Sequence, residues 1–159
     1  MRITVIGVCK IKEKYLAQGM QEYVKRISSY AKLEVIELKD SPLPDKLHQE
    51  EINRVISSEE GRIKQRLSKA GYVVALDPKG KEFDSVGFAN HIHNLTIRGT
   101  SDFIFVIGGT LGLSDNFKKE ADLLLSFSKF TFPHQLMRLI LVEQIYRAFK
   151  IIKNEPYHY

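Results

Sequence analysis

The sequence predicts an α/β fold, a three-layer sandwich in which helices cover both faces of a mainly parallel sheet. Short apolar runs rich in β-branched residues alternate along the whole chain with longer segments of helical periodicity. Most of the short runs lack alternating polar positions, as strands buried on both faces do. The length of 159 residues fits a single domain, 1–159, that can bury a full core.

The N-terminal part of the chain contains two predicted strands and a helix between them. Residues 3–8 are β-branched and mostly apolar, which is typical of a buried parallel strand. Residues 10–31 repeat apolar side chains at helical spacing. Residues 33–38 alternate with period two, which indicates a strand with one wetter face, and two prolines fix the following loop at 40–45.

The middle of the chain contains a helix, a strand and a second helix. Residues 50–70 have the pattern of a charged amphipathic helix, which Gly71 ends. Residues 72–76 are apolar apart from one tyrosine hydroxyl and predict another buried strand. The next helix is predicted at 84–97, and Gly99 closes it.

The C-terminal part has two further strands, each followed by an irregular loop. The strand at 103–107 stops at a glycine-rich turn, and a short helix at 114–120 leads to the strand at 123–125. A polar and aromatic loop, 126–132, follows that strand, and Pro133 then opens a long apolar helix.

These two loops suit a ligand site, because the carboxyl ends of neighbouring parallel strands form a crevice in α/β sheets. The bare backbone of Gly108, Gly109 and Gly112 would admit a ligand closely. Aromatic side chains would hold the 126–132 loop still, so that its backbone groups face a small polar, planar ligand. The alternative is that the glycines only make a tight strand-to-helix turn.

Several kinds of site are excluded by motif and spacing. The glycine segment lacks the Gly-Lys-Ser/Thr ending of a Walker A loop and the spacing of a Rossmann fingerprint. The single cysteine, Cys9, excludes an internal disulfide and a cysteine-based zinc site. His91 and His93 are two residues apart on a predicted helix and do not share a face, so no metal is expected. Ser126 and Ser128 lack the nucleophile elbow of hydrolases.

The composition favours a cytoplasmic protein with a polyanionic partner. The net charge of +5 and the pI of about 9.2 are typical of many nucleic-acid-binding proteins, although an ordinary basic surface is the alternative. No apolar run approaches the roughly 18 residues of a membrane span, so no membrane partner is expected. The N-terminus also lacks the pattern of a signal peptide.

The last helix predicts a homodimer. Between Leu136 and Val142 only Arg138 is polar, so apolar side chains face nearly all directions. A helix that is apolar all round is buried on both sides. One side would cover the sheet of its own subunit and the other a second copy. Glu143 and Arg147, four residues apart, either form a simple stabilising pair or line a site.

The chain resembles the bacterial RlmH family in four motifs: FVIGG-x-x-GL, LSFSKFTFPHQLMR, EQIYRAFKI and the terminal PYH. Members of this family are SPOUT-class methyltransferases that act on pseudouridine in large-subunit ribosomal RNA. The resemblance covers the whole chain, from MRITVIGVCKIKEKY onward. Leu111 occupies a variable place between glycines, and Tyr159 stands where a polar or basic residue is expected.

The resemblance implies an α/β fold whose C-terminal segment is threaded as a trefoil knot, the SPOUT or alpha-beta knot. It implies an obligate homodimer that binds S-adenosyl-L-methionine in the knot, with no metal. The implied reaction is methylation at N3 of a pseudouridine in a stem-loop of 23S ribosomal RNA on the assembled ribosome.

The resemblance also implies roles for individual residues. The cofactor contacts would be Leu76, Gly108, Phe127, Ser128, Lys129, Phe130, Thr131 and Phe132. Arg147 would bind RNA or stabilise an anion, while Tyr157 and His158 would position the target base, with His158 also the candidate general base. The C-terminal tail, which contains Tyr157 and His158, is expected to act at the cofactor site of the partner subunit. Four lysines are candidates for phosphate contacts, with a solvated surface as the alternative: Lys10, Lys12, Lys14 and Lys129.

Two other functions compete with the methyltransferase hypothesis. One is a catalytically silent RNA- or ribosome-binding protein on the same fold, which the presence of the glycine turn, the aromatic loop and the tail motif disfavours. The other is a nucleotide-binding enzyme of flavodoxin-like type, which the absence of a phosphate-binding motif disfavours.

Overall fold

A computed structural model describes residues 1–46 and 48–159 of the chain. The strands are β1 (Arg2–Val8), β2 (Lys32–Leu38), β3 (Tyr72–Glu82), β4 (Asp102–Ile107) and β5 (Leu123–Ser126). The helices are α1 (Lys14–Ile27), α2 (Gln49–Lys64), α3 (Ser85–Ile97), α4 (Asp115–Glu120) and α5 (His134–Ile152). The five strands form one sheet in the order β2-β1-β4-β3-β5, and each neighbouring pair is parallel.

The two faces of the sheet bury separate apolar clusters, because successive side chains of a strand point to opposite faces. On β4, Phe103 and Phe105 face a cluster that contains buried residues of α1, α3 and α5. Ile104 and Val106 face the other cluster, which contains Ile63 of α2 and a buried residue of α4. The expected α/β fold with helices on both faces is therefore confirmed.

The N-terminal helix is shorter than the predicted 10–31, since α1 begins only at Lys14. Side chains from elsewhere in the chain bind the backbone ahead of it. The N–H of Ile11 donates to Glu37 Oε1 at 2.9 Å, and the N–H of Lys12 donates to Gln135 Oε1 at 2.8 Å. These long-range bonds hold the segment outside the helix.

Helix α2 also ends earlier than predicted, at Lys64 rather than near 70. The Ser68 hydroxyl donates to the carboxylate of Asp102 on β4, which the guanidinium of Arg2 also binds at 2.6 Å. Asp102 is 7% exposed, so it needs these partners. The bond holds Ser68 at the amino end of β4, outside the helix.

Strand β3 is longer than the predicted 72–76, because its pairing with β5 resumes after a shift in register. Leu76 and Lys81 both lie opposite Leu125, and the residues between them bulge out of the ladder. At Gly80 an added Cβ would lie 2.7 Å from the backbone of Leu124, so only glycine permits this close crossing of two chain segments.

Arg138 of α5 is completely buried, at 0% exposure. Its guanidinium nitrogens donate to Glu37 Oε1 at 3.2 Å and to the carbonyl of Cys9 at 2.9 Å. The longer contact to the carbonyl of Val8 is 3.4 Å. Gly7 leaves room for the arginine, because a Cβ there would lie 2.7 Å from its Cδ and Nε. Arg138, which interrupts the apolar pattern of α5, thus links this helix to β1 and β2 through buried hydrogen bonds.

No helix in the described part of the chain is long and apolar enough to cross a membrane.

Replacing Arg138 by Met should lower the free energy of unfolding by about 3 kcal/mol. The loss follows because Glu37 and the two carbonyls lose their donors while the apolar stem keeps its volume. Urea denaturation followed by circular dichroism measures it. Arg26→Met is the matched control, since Arg26 pairs with Glu22 on the exposed face of α1 and should leave stability close to wild type. Equal stability of the two variants would contradict the structural role of Arg138.

Candidate active site

A cavity of about 540 Å³ opens at the carboxyl ends of β4 and β5 and at the bulge in β3. Its size is within the range of about 300–1,000 Å³ that small-ligand sites occupy. Seven of the eight residues expected to contact a cofactor line it: Leu76, Gly108, Phe127, Ser128, Phe130, Thr131 and Phe132. Lys129 is exposed and does not line it.

The glycine turn forms one wall of this cavity and is also sterically tight. A Cβ at Gly108 would lie 2.7 Å from the backbone of Gly112, whose φ of +76° favours glycine. A Cβ at Gly109 would lie 2.5 Å from Oε2 of Glu59, a side chain of α2 that is 4% exposed. The N–H of Ser41 donates to the other oxygen of Glu59 at 2.9 Å. The turn is therefore both a tight connection and the backbone wall of a cavity.

The opposite wall is the loop after β5, and hydroxyl groups help to fix its course together with Phe127, which packs against the core. Ser126 is 3% exposed, and its hydroxyl lies within hydrogen-bonding distance of the carbonyls of Pro78 and Ser128, at 3.2 and 3.1 Å. The N–H of Phe130 donates to Ser128 Oγ at 3.1 Å. Phe130 is itself 78% exposed, so the expectation that aromatic side chains hold this loop still is wrong for Phe130.

The ionisable groups in the cavity wall leave it without a free positive charge among the described lining residues. Burial raises the pKa of Asp77, but its bonds to Lys118 and to the N–H of Lys79 outweigh burial and hold that pKa below its ordinary value. Burial, followed by the charge of Arg138, lowers the pKa of His134 at the start of α5. At neutral pH the wall thus presents an ion-paired carboxylate and a neutral imidazole.

The tail residues gather around one carboxylate on the outer side of α5. Glu143 Oε1 accepts from Arg147, with the shortest contact 2.6 Å, and from the hydroxyl of Tyr157 at 3.1 Å. The guanidinium of Arg147 lies over the Tyr157 ring, 4.7 Å from its centroid. Arg147 also approaches Nδ1 of His158 at 3.4 Å. The pair of Glu143 and Arg147 is therefore a stabilising contact and, at the same time, the anchor of the tail.

This arrangement makes the tail a set of hydrogen-bond donors. Burial first, then the bond to Tyr23 and the charge of Glu143, raise the pKa of Tyr157 well above its ordinary value, so its hydroxyl stays protonated. A guanidinium can only donate, so Nδ1 of His158 accepts in its contact with Arg147, and the proton of a neutral ring then resides on Nε2.

A second cavity, of about 530 Å³, adjoins the first, and Leu125 and Phe127 line both. His158 of the same chain lines the second cavity and not the first. Ser85 and Gln144 also line it, and sequence reasoning picked out neither of them. Gln144 stands in the motif EQIYRAFKI, but its partnership with Ser85, 59 residues away in the chain, is visible only in the hydrogen bond of 2.9 Å between them.

Within residues 1–46 and 48–159, no three His, Cys, Asp or Glu side chains are close enough together to hold a metal ion.

The lowered pKa of His134 predicts a loss of stability on acidification. Below its ordinary pKa of 6.5 the unfolded chain takes up a proton at this residue, whereas the folded chain resists it. The contribution of the neutral His134 to the free energy of unfolding is complete above about pH 6.5. It is lost as the pH falls towards the lowered pKa that His134 has in the folded chain. Urea denaturation at about pH 7.5 and about pH 5 should therefore show a smaller acid-induced loss in His134→Gln than in wild type. An equal loss in both proteins would contradict the burial of a neutral imidazole.

Comparison with known proteins adds the family. The family model described as "Predicted SPOUT methyltransferase" matches residues 1–158. The chain is 61% identical over 159 residues to the Ribosomal RNA large subunit methyltransferase H of Natranaerobius thermophilus, covering 100% of both chains. It is 51% identical over 158 residues to the protein of the same name from Carboxydothermus hydrogenoformans, covering 99% of both.

A solved structure supports the fold. The probable methylase family protein of Haemophilus influenzae superposes with a TM-score of 0.50 at 12% sequence identity, and the match covers 99% of this chain and 70% of that one. The family match and the two high-identity relatives lead to one conclusion: the chain belongs to the SPOUT methyltransferases and, among them, to the ribosomal RNA large subunit methyltransferase H family.

Proposed function

We propose that this protein uses S-adenosyl-L-methionine to methylate N3 of a pseudouridine in 23S ribosomal RNA on the assembled ribosome. The observation that supports it best is the pair of adjoining cavities with a common wall, Leu125 and Phe127, one bounded by the glycine turn and the other by the tail residue His158. A cofactor and an RNA base bound in the two cavities would be neighbours. The proposed substrate places the protein in the cytoplasm.

The first cavity fits the cofactor chemically. Its apolar wall, with Leu76, Phe127 and Phe132, suits an adenine ring, and the backbone at Gly108 suits the polar edge of that ring. The cofactor is a sulfonium cation and supplies an activated methyl group when bound. The anionic Asp77 and the neutral His134 make the cavity hospitable to a cation.

The tail supplies alignment and electrostatic stabilisation. The N3–H of a pyrimidine must give up its proton, here to water, before N3 takes the methyl group from the sulfonium sulfur, and the negative charge of that anion lies partly on the flanking carbonyl oxygens. We assign the stabilisation of that charge to Arg147 and the positioning of the ring to Tyr157 and to His158, the tail residue that lines the second cavity. Holding two reactants in alignment is itself worth a large part of the barrier.

We also propose a homodimer with a C-terminal trefoil knot. Leu136, Leu139 and Ile140 of α5 remain only partly buried in one chain, and a second subunit would cover them. The close crossing of Gly80 and Leu124 is what threading of the segment after β5 past the end of β3 would require. Within one chain, His158 lines the second cavity beside that chain's own first cavity, so we place the tail at the site of its own subunit; its action at the partner's cofactor site stays an expectation from the resemblance.

Gly108→Ala should weaken cofactor binding at least about tenfold, because the new methyl group overlaps the backbone of Gly112 and deforms the cavity wall. Isothermal titration calorimetry with S-adenosyl-homocysteine measures this. Gly61→Ala is the matched control, since a Cβ there meets nothing within 4 Å and the helix gains about 0.5–1 kcal/mol. Unchanged binding by the Gly108 variant would exclude this cavity as the cofactor site.

Arg147→Ala should reduce methyl transfer about 100-fold or more while cofactor binding stays at the wild-type level. The assay is transfer of labelled methyl groups from S-adenosyl-L-methionine to assembled ribosomes, with free ribosomal RNA in parallel. Arg98→Ala, at an exposed position after α3, serves as the control.

Label on pseudouridine that the Arg147 variant loses would support the proposal. Cofactor binding without any transfer to ribosomes or ribosomal RNA by the wild-type protein would favour a catalytically silent RNA-binding protein on the same fold.

A further inference from the structure

The second cavity contains a pair of polar side chains whose orientation is fixed by their neighbours. Ser85 is the first residue of α3, and Gln144 lies in the middle of α5. Ser85 Oγ donates to Gln144 Oε1 at 2.9 Å, and Gln144 Nε2 donates to Glu143 Oε2 at 2.7 Å. Since an ionised carboxylate only accepts, the amide nitrogen must face Glu143, and the amide oxygen must face Ser85.

This orientation decides what the cavity can recognise. With its proton on Gln144, Ser85 Oγ keeps lone pairs that accept a hydrogen bond from a ligand. The amide nitrogen of Gln144 has a second hydrogen that Glu143 Oε2 does not use, and it can donate to a ligand. The cavity therefore presents an acceptor beside a donor. Adjacent N–H and C=O groups on a planar ring complement that pair.

The remaining walls suit a planar ring. Phe83 and Phe88 line the cavity as an edge-to-face pair with centroids 6.4 Å apart. Aromatic and amide groups of this kind are what proteins use to hold an extruded base by stacking and by hydrogen bonds to its edge. Leu125 and Phe127 line both cavities, so a ring held here borders the first cavity.

We propose that this cavity binds the target pyrimidine base and that Ser85 and Gln144 read its edge: Ser85 Oγ accepts from N1–H of pseudouridine, and Gln144 Nε2 donates to C2=O. This inference rests on the proposed function and adds the site and the basis of base selection. It leaves N3, on the other side of C2, for the reaction with the cofactor.

Ser85 then distinguishes pseudouridine from uridine. Pseudouridine is joined to ribose through C5, so its N1 carries a hydrogen. A uridine in the same position presents C5–H to Ser85 and C4=O to Gln144. Uridine thus keeps the bond to Gln144 and lacks the bond to Ser85, and one hydrogen bond decides the selection.

The two side chains consequently predict different kinetic effects. Ser85→Ala should lower kcat/KM about tenfold more on ribosomes that contain pseudouridine than on ribosomes that contain uridine at the same position. Gln144→Leu should lower kcat/KM about tenfold on both. The ribosomes come from bacteria with and without the pseudouridine synthase for that position. Asn90→Ala, at an exposed position of α3, is the control and should match wild type on both.

The ratio of kcat/KM on the two kinds of ribosome is the decisive readout, because a variant that is merely destabilised loses activity on both alike. Thermal denaturation and the affinity for S-adenosyl-homocysteine verify that each variant is folded. Should Gln144→Leu fail to fold, Ser85→Ala, which removes one oxygen atom, still decides the question.

The possible results separate this inference from the function on which it rests. A Ser85→Ala ratio equal to that of wild type, with wild-type methylation intact, overturns the assignment of the base site alone. Absence of methylation by the wild-type protein overturns the proposed function and this inference together. A ratio reduced only in the Ser85 variant supports both.

Discussion

The guanidinium of Arg138 lies among β1, β2 and α5 without any exposure to solvent. Its donors bind the carbonyls at the end of β1 and the carboxylate of Glu37, and Gly7 provides the space. A buried cation is tolerated only with such partners, so the three elements can adopt few other relative positions. One turn before Arg138 the same helix begins at His134, in the wall of the first cavity. The position of the cavity thus depends on a contact outside it.

Glu143 likewise fixes the positions of side chains at and near the second cavity. One oxygen holds Arg147 and Tyr157, and the other orients Gln144 towards Ser85. A single carboxylate therefore positions both the tail and the pair of Ser85 and Gln144. The two residues that line both cavities are Leu125 of β5 and Phe127 just after it. Their position depends on the pairing of the short strand β5 with β3. Neither cavity is built from one contiguous segment of the chain.

The α/β fold could be predicted because apolar periodicity is local: the pattern at 3–8 and 103–107 predicts strands that the structure has within one residue. Strand ends also located the first cavity, and the resemblance added seven of the residues that line it. Beyond the early end of helix α2, Ser68 binds Asp102, which lies far away in the sequence. The role of Arg138 could not be predicted either, because its partners also lie far away in the sequence. Gly7 inside β1 is the one sequence signal that another side chain approaches this strand closely.

The bond between Arg138 and the carbonyl of Cys9 spans 129 residues, which has a consequence for the synthesis of the protein. Translation delivers β1 and β2 first and their buried partner last, so the nascent chain must keep these polar groups hydrated until α5 emerges. Folding that waits for such distant contacts is slow in proteins generally. We expect the growing chain to remain protease-sensitive until α5 has left the exit tunnel.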